Sequence, residues 1–402
     1  MLANLLAVPV LLFGAAAIIS VGAGNIGAGV MATAAVAVVV ARRGARDAWP
    51  PRDVLLAVLA VWLTHALATA LAGPNPVRWD KLVEEMWLKA LVVTVPLAAA
   101  GRPRLVRAAV LVTVAAGALV SLYALAQFLA DHDLWRDEPL LHTAGFPIAT
   151  AFHGHHLSWG GQAMLALVVA MAWLRDVVLE RPRRTWLPLV ACLVIGVGLI
   201  VSFARSAQLG AFAAAVFLVV TLPGRWRRLG VGALVAVVIV ALLVPAVRLR
   251  ALEAFTDEKE VTRPNLWRSS LAGIADRPLR GWGPGNFGAM LDEHEVDGYY
   301  EVRAHSHNDY LMHAVNAGLP GLLAALWLIW ATVRHLHAGW RRGGPGSWIP
   351  LGGLACQVAI VVAGLFQVYQ TDDEPEMLLY YLIGLGLAQL ITSRREDAAS
   401  GA

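Results

Sequence analysis

Long apolar stretches separated by short polar ones repeat along the whole 402-residue chain. Twelve can be marked, at approximately 3–21, 24–41, 53–72, 82–100, 105–129, 159–175, 186–203, 206–223, 230–247, 309–333, 347–370 and 376–392. A helix needs roughly 20 mostly apolar residues to cross ~30 Å of hydrocarbon. The pattern therefore predicts an all-α polytopic membrane protein with about 12 transmembrane helices, residues 1–402 forming a single integral membrane domain. The first stretch has neither a charged leading region nor a clear cleavage site, and is expected to be a retained span rather than a signal peptide.

The polar segments differ by side. One alternate set holds Arg42, Arg43, Arg46 and Arg52; Arg102, Arg104 and Arg107; Arg175, Arg181, Arg183 and Arg184; Arg225, Arg227 and Arg228; Arg334, Arg341 and Arg342; and Arg394 and Arg395. Together these are more than half of the 32 basic residues. The short segments of the other set hold only Arg78, Lys81, Arg136 and Arg205. Cytoplasmic loops collect Lys and Arg, so both termini are expected in the cytoplasm. Residues 248–308 break the rhythm, forming a long loop on the outer face between the ninth and tenth spans. A loop of that length without a function would be unusual. Leu266, Trp267, Leu271 and Ile274 recur in it at helical spacing, Asp276-Arg277-Pro278 reads as a stop, and Gly281 to Asn286 reads as turns. The loop is thus expected to be partly helical. A second sizeable outer loop, about 130–158, contains His132, His142, His153, His155 and His156.

Composition fits this picture and narrows it. With 58% apolar and 15% charged residues and a mean hydropathy of +0.63, the chain is too apolar for a soluble enzyme or a disordered segment. The net charge of +4 follows from the side-by-side distribution of arginine and implies no nucleic-acid partner. Cys192 and Cys356 lie inside apolar stretches and read as small core residues.

Three polar clusters fall on the expected outer face, where charge is costly and usually functional. Arg205 sits in the tight turn between spans seven and eight; it is either an interfacial anchor or a phosphate clamp, since a guanidinium fork matches phosphate oxygens. The long loop carries Arg263, Arg268, Arg277 and Arg280 near Trp267 and Trp282, but its acids outnumber its bases, so a functional arginine must be chosen individually. Arg303 to Leu311 contains His305, His307, Asn308 and Asp309. Its histidines suit metal binding, general-base chemistry or helix capping, and Asn308 and Asp309 are natural N-cap residues.

These residues resemble the O-antigen ligases, within a superfamily that also holds O-antigen polymerases and protein O-oligosaccharyltransferases. Arg205 to Leu209 matches an R-x3-L element. His307-Asn308, nine residues and Gly318-Leu319-Pro320-Gly321 match H-[N/S/Q]-x9-G-x-x-G; His305-Ser306 does not fit, because Asn316 would stand at the first glycine. Arg263 to Trp267 and Pro278 to Gly283 look like the family's R-x3-W and P-L-x-G-x-G loop. The specific motifs cover about 202–321, and the span layout is similar to a GT-C-like one.

The resemblance implies a metal-independent, cofactor-free, inverting glycosyltransferase on the periplasmic face of a Gram-negative inner membrane. It would move O-antigen from undecaprenyl diphosphate to the lipid A–core oligosaccharide, in contact with membrane lipids. His307 would be the base, with His305 or Asp309 orienting it and Asn308 in support. Arg205 and Arg263 would bind the diphosphate, with Arg268 and Arg280 behind them. A polymerase would use the same donor with a second lipid-linked repeat as acceptor. A twelve-span transporter is disfavoured, because the midspan segments read as nearly free of charge. Lys81, Glu85 and Lys89 read as i,i+4 ion pairs, and Asp372, Asp373 and Glu374 as an outer turn that either binds acceptor sugar or is solvated.

Overall fold

The computed structural model describes residues 7–41, 48–143, 145–180, 182–243, 262–298 and 303–400, together with 245, 248 and 249. In chain order its helices are α1 (Ala7–Ile19), α2 (Val21–Ala41), α3 (Arg52–Ala70), α4 (Trp79–Met86), α5 (Leu91–Ala99), α6 (Pro103–Ala130), α7 (His156–Glu180) and α8 (Trp186–Val201). They continue as α9 (Arg205–Val220), α10 (Gly224–Leu243), α11 (Thr262–Asp276), α12 (Phe287–His294), α13 (Asp309–Arg341), α14 (Trp348–Ala363) and α15 (Asp373–Ser400). Between α6 and α7 lie two minimal antiparallel pairs, β1 (His132–Asp133) with β2 (Glu138–Pro139) and β3 (His142–Thr143) with β4 (Phe146–Pro147).

By length and composition six stretches suit a membrane crossing: Val21–Val40, Arg52–Ala70, Pro103–Ala130, His156–Glu180, Asp309–Arg341 and Asp373–Ala398. Ala7–Ile19, Trp186–Val201, Arg205–Val220 and Trp348–Ala363 are shorter apolar helices. The protein is an all-α membrane protein. Its helices differ in what they touch: the apolar window of α15 is 94% buried, against 33% for those of α2 and α3. A helix apolar and buried all round is a core helix, so α15 is the post around which the others stand. Small residues let backbones approach, as where a Cβ on Gly210 of α9 would come within 2.6 Å of the Ala359 carbonyl of α14.

Two predicted spans are redrawn. The stretch 82–100 is not one helix but α4, a 3-10 turn over Trp87–Ala90, and α5. The stretch 347–370 ends as helix at Ala363. Backbone turn bonds run on to Phe366, and the segment that follows is held by side chains. Asp309 Oδ1 accepts the backbone N–H groups of Tyr369 (2.8 Å) and Gln370 (2.9 Å), and Asn308 Nδ2 donates to the Leu365 carbonyl (3.0 Å). Backbone groups satisfied in this way need no helix when buried.

Within the long loop, a helix appears where the spacing predicts one, ending at Asp276. Several loop positions, including Lys259, lie outside the described residues. Leu266, Trp282, Phe287, Met290 and Leu291 form a small core that also takes in Met312 and Val315 of α13. The attachment is completed at a break in α13, where Ala317 and Gly318 leave helical geometry (Gly318 φ 65°, ψ −171°). Three backbone bonds fill the gap: Trp282 N–H to the Val315 carbonyl (2.8 Å), Gly283 N–H to Asn316 (3.0 Å) and Leu319 N–H to Pro278 (2.7 Å). A Cβ at Gly281 or Gly318 would lie 2.6 Å from backbone atoms of the other segment, and both have positive φ. Glycine is required at both positions.

Candidate active site

The residues singled out from sequence gather at the bundle end formed by the start of α7, α9, α13 and α15. His307 precedes α13 with φ 50°, a left-handed conformation rare for a residue with a side chain. Its neighbours hold it there. Ser306 Oγ donates to the Asn308 carbonyl (2.8 Å), the His307 N–H points to His305 Nδ1 (3.3 Å), and the Asp309 N–H donates to the Gly364 carbonyl (2.8 Å). Asn308 is the N-cap, its side chain accepting the Leu311 N–H at 3.0 Å. The two histidine rings meet edge to face with centroids 4.3 Å apart. His307 Nδ1 lies 2.5 Å from Gln367 Oε1.

Helix α11 faces this loop with Arg263 and Trp267, one turn apart. Trp267 Nε1 donates to the Ser306 carbonyl (3.0 Å), and Arg263 is within electrostatic reach of His305 and Tyr369. Burial, aided by His307, His155 and Arg263, pushes the His305 imidazole down to about 3, so it is neutral at physiological pH. Arg205, half-buried, is the first residue of α9, whose N-terminus has no side-chain cap. The next residue ties α9 to the same assembly, Ser206 Oγ lying 2.9 Å from Tyr369 Oη. His156 Nδ1 approaches the Ser202 carbonyl (2.8 Å), and Ser158 Oγ donates to Asp372 (3.1 Å). Burial and the adjacent Glu374 hold the Asp372 carboxyl well above its ordinary range.

Other predicted residues stand apart. Arg268 and Arg280 are exposed, and among the described residues neither side chain makes a hydrogen bond or ion pair. Arg277, not chosen from sequence, is buried with its guanidinium 3.5 Å from the Trp282 ring centroid, a packing role. The carboxylate of Asp309 is spent on the 369–370 backbone. Among the described residues no group of three or more His, Cys, Asp or Glu is placed to hold a metal ion.

The expectation of i,i+4 ion pairs among Lys81, Glu85 and Lys89 is corrected. Lys89 Nζ pairs with Glu376 Oε1 of α15 at 2.8 Å, both fully buried, and also donates to the carbonyls of Glu85 (2.6 Å) and Gln370 (2.9 Å). The Glu85 carboxylate instead accepts Asn316 Nδ2 (2.8 Å), and Lys81 pairs with Glu84. Buried histidines, His65 and His313, adjoin each other at 3.3 Å. What sequence reasoning missed is the 364–371 segment, above all Gln367, Tyr369 and Gln370. The two glutamines inside an apparently apolar stretch were the signal.

Residues 190–326 match the family model described as O-antigen ligase. No curated protein matches the chain. The matched segment runs from α8 into α13 and carries Arg205, Arg263, His305, His307 and both glycines of the break, while Gln367 and His156 lie outside it. Over residues 190–326, 137 of the 402 in the chain, the protein is thus similar to the O-antigen ligases, whose members are membrane enzymes acting on glycans.

Proposed function

We propose that this protein is an O-antigen ligase that transfers a glycan from undecaprenyl diphosphate to a sugar hydroxyl of the lipid A–core oligosaccharide, with inversion and without a metal ion. The observation that carries the reading is the convergence of Arg205, Arg263 and the His305–His307 pair, from three separate elements, around the 364–372 segment. In this reading twelve spans cross a Gram-negative inner membrane with both termini in the cytoplasm, and the 248–308 loop and the site face the periplasm. The side assignment rests on the arginine distribution.

Each residue then has a task. The acceptor oxygen attacks the anomeric carbon opposite the diphosphate. Its new bond forms as the bond to the diphosphate oxygen breaks, the hydroxyl proton passes to His307, and undecaprenyl diphosphate departs. Charge developing on the leaving group is met by Arg205, Arg263 and the uncapped N-terminus of α9, all fixed before the reaction. His307 acts as general base. Arg268 and Arg280, exposed at the rim, contact the donor's outer part.

The test is transfer by purified protein from lipid-linked O-antigen to rough lipopolysaccharide, with a second lipid-linked repeat offered in parallel. Transfer to the lipopolysaccharide, insensitive to EDTA, is expected. Elongation of the lipid-linked glycan instead would make the protein a polymerase, and strong inhibition by EDTA would remove the metal-free mechanism.

A further inference from the structure

We propose that Gln367 is a positioning residue, whose side-chain carbonyl holds His307 in the tautomer with the proton on Nδ1 and so makes Nε2 the basic nitrogen. The inference rests on His307 being the base of the reaction proposed above.

The geometry supplies the reason. Gln367 is buried and its Oε1 lies 2.5 Å from His307 Nδ1. An amide oxygen only accepts, so the proton of that bond belongs to Nδ1. A neutral imidazole carries one proton, which leaves the lone pair on Nε2. Free imidazole side chains favour the opposite tautomer, so the bond selects the minor form and keeps it.

Both ends of the contact are fixed. His307 sits at φ 50°, a conformation that persists only where the surroundings impose it. Gln367 stands on a segment pinned on either side, at Leu365 by Asn308 and at Tyr369 and Gln370 by Asp309. The ring is therefore aimed by the same clamp that ends α14 early.

Glutamine is also the suitable residue type. A carboxylate at this place would select the same tautomer, but it would stabilise the imidazolium and raise the imidazole pKa. It would also set a negative charge beside a site that must receive a diphosphate. An amide fixes the tautomer without adding charge.

The experiment uses the full chain in lipid nanodiscs, with Q367L and Q367E beside the wild type. Nitrogen-15 spectra of histidine-labelled protein, assigned through the signal lost in H307Q, are expected to show His307 protonated on Nδ1. Q367L should move it toward the Nε2-protonated form. In transfer assays Q367L should lower kcat by about tenfold or more with KM nearly unchanged. Q367E, which keeps the shape and an acceptor, should move the acid limb of the pH profile upward by about one unit and recover at alkaline pH much of the kcat lost in Q367L. A role in packing alone would not give that recovery or that shift. An unchanged tautomer in Q367L, or pH profiles that superimpose in Q367E, would overturn the proposal. Absence of transfer in the wild type with every acceptor would sink the ligase reading alone, and the nitrogen-15 signals would still decide the tautomer.

Discussion

The two ends of the helical bundle use polar residues in opposite ways. At the end carrying His307, polar groups are buried and bound to backbone: Lys89 and Glu376 are 1% and 0% exposed, and Asp309, Asn308 and Gln367 hold one turn of chain against another. At the other end Arg342 meets Asp397 with both side chains about half exposed. There Asp53 is shared by His335 at 2.7 Å and Arg334 at 3.5 Å, and an open cleft is lined by Arg107, Trp173, Asp176 and Arg184. Exposed pairs are screened and contribute little, whereas an ion buried without its partner is expensive. The groups around His307 are preorganised, whereas the Arg342–Asp397 pair is solvated.

The sharpest way to test that contrast is H307A, expected to reduce transfer at least about 100-fold while the protein still inserts and folds; full activity would remove the histidine from the mechanism. Next in size is K89M, which strands Glu376 in the core and should cost about 3–5 kcal/mol. Its signature is thermal unfolding in detergent, with most of the loss recovered in K89M/E376L. R205K keeps the charge but not the fork, and should lower kcat/KM by about 10- to 100-fold; equal activity of the two chains would show that a point charge suffices.

Acid should also act chiefly at the preorganised end. His305 is held down to about 3, so between about pH 6.5 and pH 3 the unfolded chain binds the extra proton and stability falls as pH falls. The raised carboxyl of Asp372 works in the opposite sense, favouring the folded state as pH falls below its raised value. H305Q should flatten the decline of melting temperature between pH 7.5 and pH 5, and an undiminished slope would assign the decline elsewhere. The smallest effect is expected at the other end, where R342A should change stability by less than about 1 kcal/mol, measured in the same melts.

How much of this was legible follows from the kind of signal each part emits. Apolar period marked the long helices but neither α12 nor the division of 82–100 into α4 and α5, and the turn at Gly281 was readable because glycine suits such close backbone contact. Motif residues Arg205, Arg263 and His307 were readable because each stands in a short fixed pattern. What stayed hidden depends on distance along the chain. The partner of Lys89 is Glu376, and local spacing pointed to Glu85 instead. Gln367 and Tyr369 were absorbed into an apolar span because hydropathy counts them among greasy neighbours, while the side chains of Asn308 and Asp309 that end the helix belong to another element. Long-range hydrogen bonding of this sort leaves no periodic trace.

The burial of α15 on all sides bears on how the protein is made. Its apolar window has the lowest hydropathy of the six, 1.3, and its first turn holds Asp373, Glu374 and Glu376. Such a segment is a poor candidate for entering lipid by itself. Lys89 precedes Glu376 in the chain, so the counter-charge is synthesised before the helix that needs it. Helix α15 is thus a keystone: its acidic first turn is matched by a lysine of an earlier element, so closing the bundle around α15 and burying that pair are the same step.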